Sequence, residues 1–153
     1  MLCRMRIITY TIYSLHKMMK LIIYKSLLGS SRIYAQWLSK AIKADVYPMD
    51  VVTDELIEKA ACIIIIAGTY FLNSPIISFT KSKWRVLREK RVYLINIAGF
   101  SIESVTRKIV YNRLPVEIKE RVNYYDLQGK IGPVRAGGVK IENIDKLIAD
   151  INQ

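Results

Sequence analysis

A short serine-rich loop carries the residues whose types and spacing best suit the binding of an anion. Residues 24–32 read YKSLLGSSR, with hydroxyls at Ser26, Ser30 and Ser31 and a glycine at Gly29. The loop follows an apolar run and precedes an amphipathic segment, which predicts a turn from a strand into a helix. N–H groups at a helix start are unpaired and lie at the positive end of the helix dipole. A phosphate would accept hydrogen bonds from them and from the hydroxyls, while Gly29 lets the backbone come close.

The loop matches neither of two common phosphate-binding motifs. It lacks the Lys-Ser/Thr pair of the Walker pattern, and it lacks the three spaced glycines of the dinucleotide fingerprint. The structural alternative is an ordinary helix cap with a turn glycine.

Other chemistry has few residues to support it. The single histidine, His16, has no Asp or Cys neighbour, and the two cysteines are Cys3 and Cys62. These residues make neither a four-ligand zinc site nor a Ser/His/Asp or Cys/His arrangement, so we assign no catalytic residue and no metal. Cys62 opens an apolar run and is interpreted as a packing residue.

Length and composition indicate one globular domain. The chain has 153 residues, of which 52% are hydrophobic and 24% charged, which excludes disordered and fibrous classes. The net charge is +11. Such a charge concerns partners rather than fold, and it leaves nucleic acid, an anionic membrane, an acidic protein and an anionic cofactor open.

The first eighteen residues differ from the rest. They contain an apolar run from Ile7 to Leu15 that is too short to span a bilayer, which needs roughly 20 residues. We interpret residues 1–18 as an upstream leader with the working start at Met18 or Met19, and residues 19–153 as the domain. An extra strand or a membrane-surface anchor are the alternatives.

The domain alternates strands and helices. Apolar runs lie at Leu21–Tyr24, Ala44–Tyr47, Cys62–Ala67, Val92–Ile97 and, more mixed, Val122–Leu127. The third run does not alternate at all, which predicts a strand covered on both faces, as in a parallel sheet. Helical spacing appears in three sets of residues: Ile33, Tyr34, Trp37, Leu38 and Ala41; Ile77, Thr80, Trp84 and Leu87; Ile144, Leu147, Ile148 and Ile151. Predicted helix starts are Ser30 or Ser31, Thr53 or Asp54, Ser74-Pro75, and Asn143. This order predicts an α/β domain.

Ligands of such sheets bind at the carboxyl ends of the strands, near a topological switch point. The loops to consider are therefore Ser26–Ser31, Gly68–Asn73, Ala98–Glu103 and Gly129–Gly132.

Several short motifs in order resemble one known family. Ser-x-x-Gly-Ser-Ser at residues 26–31 resembles the phosphate loop of flavodoxins, and Tyr34-Ala35-Gln36-Trp37-Leu38 resembles the helix that follows it in the flavodoxin-like domain family of menaquinone-dependent protoporphyrinogen IX dehydrogenase. The resemblance continues at residues 67–70, 74–76, 79–84, 92–96, 114–118 and 125–129, and so covers nearly all of the chain after Lys20.

The resemblance implies a five-stranded parallel sheet of order 2-1-3-4-5, with helices on both faces, that binds one FMN. Residues implied to hold the phosphate are Ser26, Leu27, Leu28, Gly29, Ser30 and Ser31. Residues implied to flank one side of the isoalloxazine ring are Gly68, Thr69, Tyr70, Phe71 and Asn73, with Tyr70 as a stacking candidate. Those on the other side are Ala98, Gly99 and Phe100, with Phe100 as a second stacking candidate.

The sequence departs from the family pattern at two places. Leu28 stands where the common loop has Thr, and the segment between Gly99 and Val122 is shorter than in the dehydrogenases. Because the shorter segment argues against a dehydrogenase, the resemblance favours a cytoplasmic FMN-binding electron-transfer protein. The alternatives are a protoporphyrinogen IX dehydrogenase-type flavoenzyme passing electrons to a quinone, at the inner face of the membrane, and a flavin-free flavodoxin-fold interaction module.

A basic stretch suggests the kind of partner. Lys81, Lys83, Arg85, Arg88, Lys90 and Arg91 lie on one predicted helix and its end. The stretch is either a solvated face or a docking surface for an acidic redox partner or an anionic membrane, and without a recognition motif we expect no nucleic acid. The positive net charge also predicts a flavin potential less negative than in acidic flavodoxins, because the reduced flavin tends to be an anion.

Overall fold

The chain folds around a five-stranded sheet. A computed structural model describes residues 19–69, 74–98, 109–129 and 138–153. The strands are β1 (Lys20–Lys25), β2 (Asp45–Pro48), β3 (Cys62–Gly68), β4 (Arg91–Ala98) and β5 (Val122–Gln128). The α-helices are α1 (Ser30–Ile42), α2 (Asp54–Lys59), α3 (Pro75–Leu87), α4 (Val116–Lys119) and α5 (Asp145–Asn152), and residues 109–113 are also helical. Short 3-10 turns occupy Met49–Val51 and Ile141–Ile144.

The sheet has the order β2-β1-β3-β4-β5, and every neighbouring pair is parallel. This confirms the predicted order. All five predicted apolar runs lie within a strand or overlap one, and no end differs by more than one residue.

Two apolar layers cover the two faces of the sheet. On one face, Ile63 and Ile65 of β3 belong to a cluster that includes Ile57 of α2 and Ile76 of α3. On the other face, Ile64 belongs to a cluster formed with residues of α1 and α5. Every residue of β3 is buried. Because both faces are covered, the strand has no polar alternation, which is why its sequence is continuously apolar.

The buried stripe of α1 is rotated slightly from the predicted one. Tyr34 and Leu38 are buried as expected, but Ala41 is exposed, and Ala35 and Ile42 are buried instead. The side of α1 that packs against the sheet and α5 therefore runs along Tyr34, Ala35, Leu38 and Ile42, and Ala41 lies beside it.

The predicted helix start at Asn143 is wrong. The helix α5 begins at Asp145, and Asn143 lies in the preceding 3-10 turn. Its Nδ2 donates to the hydroxyl oxygen of Tyr34 at 2.7 Å and to the carbonyl of Gly138 at 2.9 Å. The Tyr34 hydroxyl in turn donates to the carbonyl of Gln128 at 2.7 Å. Asn143 therefore ties α1 to the end of β5 instead of capping its own helix.

Two of the acidic residues after β2, Asp50 and Asp54, form ion pairs. Asp54 pairs with Lys83 at 2.6 Å and with Arg85 at 3.0 Å, which joins α2 to α3. The hydrogen bond from Lys83 is the largest cause that lowers the pKa of Asp54. Asp50 pairs with Lys25 at 2.7 Å. Thr53 caps α2 as predicted, since its Oγ1 accepts the N–H of Leu56 at 3.3 Å.

Within the described ranges, no helix is both long and apolar enough to cross a bilayer. In the same part of the chain, no group of three or more His, Cys, Asp or Glu side chains is arranged to hold a metal ion. Residues 1–18 lie outside the described part.

Candidate functional site

The carboxyl ends of all five strands lie at one edge of the sheet, because every pair is parallel. The loop between β1 and α1 leaves from this edge, and Thr69, Ala98 and Gly129 stand directly at the ends of β3, β4 and β5 or next to them. The N–H of Gly129 donates to the carbonyl of Ala98 at 2.7 Å. A side chain at Gly129 would lie 3.4 Å from Ser30 Oγ, so the end of β5 closely approaches the start of α1.

The serine loop makes a left-handed turn into α1. Gly29 has φ 90°, a conformation that side chains disfavour, and its N–H donates to Ser26 Oγ at 3.0 Å. Ser26 therefore shapes the turn, and its hydroxyl still has its own hydrogen to donate. Leu27 and Leu28 are exposed at the tip of the loop. The loop thus has the turn that the sequence predicted, with one of its N–H groups already paired.

The start of α1 retains its positive end. This 13-residue helix has no acidic residue in its first turn and no side-chain cap, and Gly29 is its N-cap residue. Ser30 and Ser31 are both buried. Ser31 is 1% exposed, and its Oγ has no hydrogen-bond partner among the described residues. Buried hydroxyls are nearly always paired, which makes Ser31 a candidate donor to a ligand at this helix start, although the hydroxyls of Ser74 and Thr80 share this property.

The residues expected at the ring are divided between the described and the undescribed parts of the chain. Gly68 and Ala98 are buried at the ends of β3 and β4, and Thr69 is half-buried beside them. The N–H of Thr69 donates to the carbonyl of Ile97 at 3.2 Å, which joins the two strand ends. The remaining expected residues, Tyr70, Phe71, Asn73, Gly99 and Phe100, lie outside the described residues.

A buried polar network at the same edge was missed by the sequence analysis. Asn96 is fully buried in β4, where its side chain contacts Thr69 and Asp126. The Tyr124 hydroxyl donates to the same carboxylate at 3.0 Å. The available signal was an asparagine inside the apolar run of residues 92–97, because a polar amide in a strand buried on both faces needs partners.

The basic stretch lies mostly toward the other edge of the sheet. The helix α3 starts near the site and ends at Leu87, and a 13-residue helix extends about 20 Å. Arg88 follows that distant end and contacts Glu89 at 3.5 Å. Arg91 donates to the carbonyls of Asp150 and Ile151, at 2.5 and 3.1 Å, at the end of α5. Several of these cations therefore have structural partners, and the last of them lie far from the serine loop.

A doubly wound sheet of this order, with an anion-suited helix start after its first strand, defines a flavodoxin-like α/β protein. The family model described as "Flavodoxin domain" matches residues 21–143. Because this match spans most of the sequence, the chain belongs to the flavodoxin domain family.

Solved structures support the fold independently. A flavodoxin from Streptococcus pneumoniae TIGR4 has a TM-score of 0.62 at 14% identity, covering 88% of this chain and 97% of that one. Flavodoxin 2 from Bacillus cereus has a TM-score of 0.60 at 13% identity, with coverages of 88% and 97%. A flavodoxin from the domain Archaea has a TM-score of 0.58 at 14% identity, with coverages of 86% and 94%. No curated protein sequence matches the chain.

Proposed function

We propose that this protein binds FMN and transfers electrons through it. The observation that carries the proposal is the serine loop at the positive end of α1, where Gly29 makes a left-handed turn and the buried Ser31 hydroxyl has no partner among the described residues. A phosphate monoester supplies acceptor oxygens and negative charge, which match an unpaired hydroxyl and the N–H groups of a helix start. Family membership supports the same proposal, because the family is that of the flavodoxin domain and several similar solved structures are flavodoxins.

Different residues of the loop would have different roles in binding the phosphate. Ser31 and the first-turn N–H groups would donate to the phosphate oxygens, while Ser26 accepts the N–H of Gly29 and so holds its left-handed turn. No first-turn carboxylate opposes the charge. The loops after β3 and β4 would flank the ring, with Thr69 as the described residue nearest to the first of them. Bound FMN supplies the electron-transfer chemistry itself.

A comparison of two buried serines tests the phosphate site. Ser31 and Ser74 each stand at the start of a 13-residue helix, and each has a buried hydroxyl that no other described residue pairs with. We expect Ser31→Ala to weaken FMN binding by about tenfold or more, because a hydrogen bond to a charged group is lost. Riboflavin, which has no phosphate, should bind equally well to this variant and to the wild type. Ser74→Ala is the matched control and should leave the ratio of the two affinities unchanged.

The binding titration also decides between flavin use and a flavin-free interaction module. Purified protein that stays colourless after incubation with FMN would overturn the proposal and favour the module. Equal losses of FMN and riboflavin in Ser31→Ala would show that the loop does not hold the phosphate.

We further propose that the redox partner is acidic. The net charge of +11 would attract such a partner over long range, even though Lys83 and Arg85 are paired with Asp54. Because α3 ends far from the serine loop, the cations at its end would attract the partner over long range and would not contact the flavin. We expect Lys81→Glu combined with Arg88→Glu to lower the rate of electron transfer to an acidic partner at low salt, with FMN affinity unchanged. An unchanged rate would show that these residues form a solvated face and do not attract the partner.

The quinone-linked flavoenzyme is separated by an activity assay. If FMN-loaded protein oxidises protoporphyrinogen IX with a quinone as acceptor, the protein is a flavoenzyme and not an electron carrier. Binding of the protein to anionic vesicles, measured by co-sedimentation, would support attachment at the membrane surface.

A further inference from the structure

One buried amide joins the ends of three neighbouring strands. Asn96 of β4 is 0% exposed, and its side chain lies between Thr69, which follows β3, and Asp126 of β5. Asn96 Nδ2 is 2.9 Å from Asp126 Oδ1, and Asn96 Oδ1 is 2.5 Å from Thr69 Oγ1. The two contacts use both ends of the amide. They form a continuous chain of hydrogen bonds at the edge where the strands end.

The direction of this chain follows from the chemistry of its members. An ionised carboxylate only accepts hydrogen bonds, so the NH₂ group of Asn96 must face Asp126. The carbonyl oxygen of Asn96 therefore faces Thr69. Because that oxygen only accepts, the Thr69 hydroxyl must be the donor. The Tyr124 hydroxyl also donates to Asp126 Oδ1, which adds a second donor to the same oxygen.

We propose that Asn96 and Asp126 are positioning residues that orient the Thr69 hydroxyl of the flavin site, so that its oxygen offers only lone pairs to the ligand. A hydroxyl has one hydrogen, and here Asn96 accepts it. The backbone is fixed as well, since the Thr69 N–H donates to the carbonyl of Ile97. This inference rests on the proposed function.

The orientation determines which ligand group suits Thr69. A hydroxyl oxygen that can only accept forms a hydrogen bond with an N–H group of the ligand. It cannot donate to a carbonyl oxygen of the ligand. A planar ring that carries both N–H and C=O groups, as the isoalloxazine does, would therefore be held with an N–H toward Thr69. Without Asp126, the amide of Asn96 has no fixed direction, and the hydroxyl loses its assigned role.

Riboflavin binding tests the inference, because this ligand lacks the phosphate. We expect Thr69→Val to weaken riboflavin binding by about fivefold, the effect of one neutral hydrogen bond. Thr69→Ser keeps the hydroxyl and should bind like the wild type. The isosteric variant Asp126→Asn should weaken binding in the same direction but less. In the double variant, Asp126→Asn should add nothing to the effect of Thr69→Val, because both act through the same hydroxyl.

Thr80→Val is the control for the loss of a threonine hydroxyl outside the network, since Thr80 is buried and its Oγ1 has no partner among the described residues. It should bind riboflavin like the wild type. Amide hydrogen exchange of the flavin-free protein gives a second readout, and we expect the backbone amide at position 69 to exchange faster in Thr69→Val and Asp126→Asn than in Thr80→Val.

Wild-type binding separates the two ways of failing. If the wild type binds riboflavin and Thr69→Val binds it equally tightly, this inference is overturned and the proposed function stands. Additive losses in the double variant would also overturn it. If the wild type binds neither FMN nor riboflavin, the proposed function fails and this inference fails with it.

Discussion

Gly29 shows how one residue sets the shape of the serine loop. Its φ of 90° favours glycine, and no crowding by the described residues does so, since a methyl group at this position would meet none of their atoms within 4 Å. We expect Gly29→Ala to lower the free energy of unfolding by about 1–2 kcal/mol, because the left-handed conformation disfavours a side chain. Gly29→Asn should cost less, since asparagine tolerates this conformation. Urea denaturation measures both, and an Ala variant as stable as the wild type would contradict the strain.

Some residues of the candidate site could be predicted from the sequence, and others could not. Ser26, Gly29 and Ser31 could be singled out because local sequence sets a helix start. Asn96 and Asp126 could not, because they are 30 residues apart in the chain and meet only when β4 and β5 pair.

At the scale of elements, cations at the beginning of strands stabilise the ends of helices. Arg91 at the start of β4 donates to the last carbonyls of α5 and lies 5.2 Å from the ring centre of Tyr93. Lys20 at the start of β1 similarly contacts the carbonyl of Ile42 at 3.4 Å, at the end of α1. The parallel sheet brings strand starts and helix ends to the same edge, which makes these contacts possible.

We expect Arg91→Ala to lower the free energy of unfolding by about 1–2 kcal/mol, through lost interactions with the helix end and the tyrosine ring. Amide exchange of α5 should become faster than that of α1. Arg88→Ala is the control, because Arg88 is exposed and its one ion pair within the described ranges is with Glu89. Equal effects of the two substitutions would contradict a specific role for Arg91.

At the scale of the whole molecule, three tyrosines link stability to alkaline pH. Burial raises the pKa of Tyr34 and Tyr93, and burial together with Asp150 raises the pKa of Tyr125 to about 12. The folded state holds these protons more tightly than the unfolded chain, so the stabilisation is full below pH 10 and is lost as pH rises toward about 12.

Urea denaturation between pH 8 and pH 12 should therefore show a falling unfolding free energy above about pH 10. In Tyr125→Phe the decline should be shallower, because one of the linked groups no longer titrates. A decline as steep as that of the wild type would show that Tyr125 does not contribute.

The net charge of the molecule predicts the direction in which the potential of the proposed FMN is shifted. A positive surround favours the anionic reduced flavin, by about 1 kcal/mol for one cation near the ring in wet surroundings. Given a net charge of +11, we expect a midpoint potential less negative than that of acidic flavodoxins. Spectroelectrochemical titration of the FMN-loaded protein measures it, and an equally negative value would contradict this expectation.

The sequence by itself determined the strands, the turn into α1 and the class of fold, because apolar patterning, glycine and serine act on their near neighbours along the chain. The family resemblance supplied the strand order, which the structure confirms. Only the tertiary structure decided that Ala41 is exposed, that Asn143 bonds to Tyr34, and that Asn96 connects Thr69 to Asp126. These contacts join residues far apart in sequence, so their partners depend on how strands and helices pack.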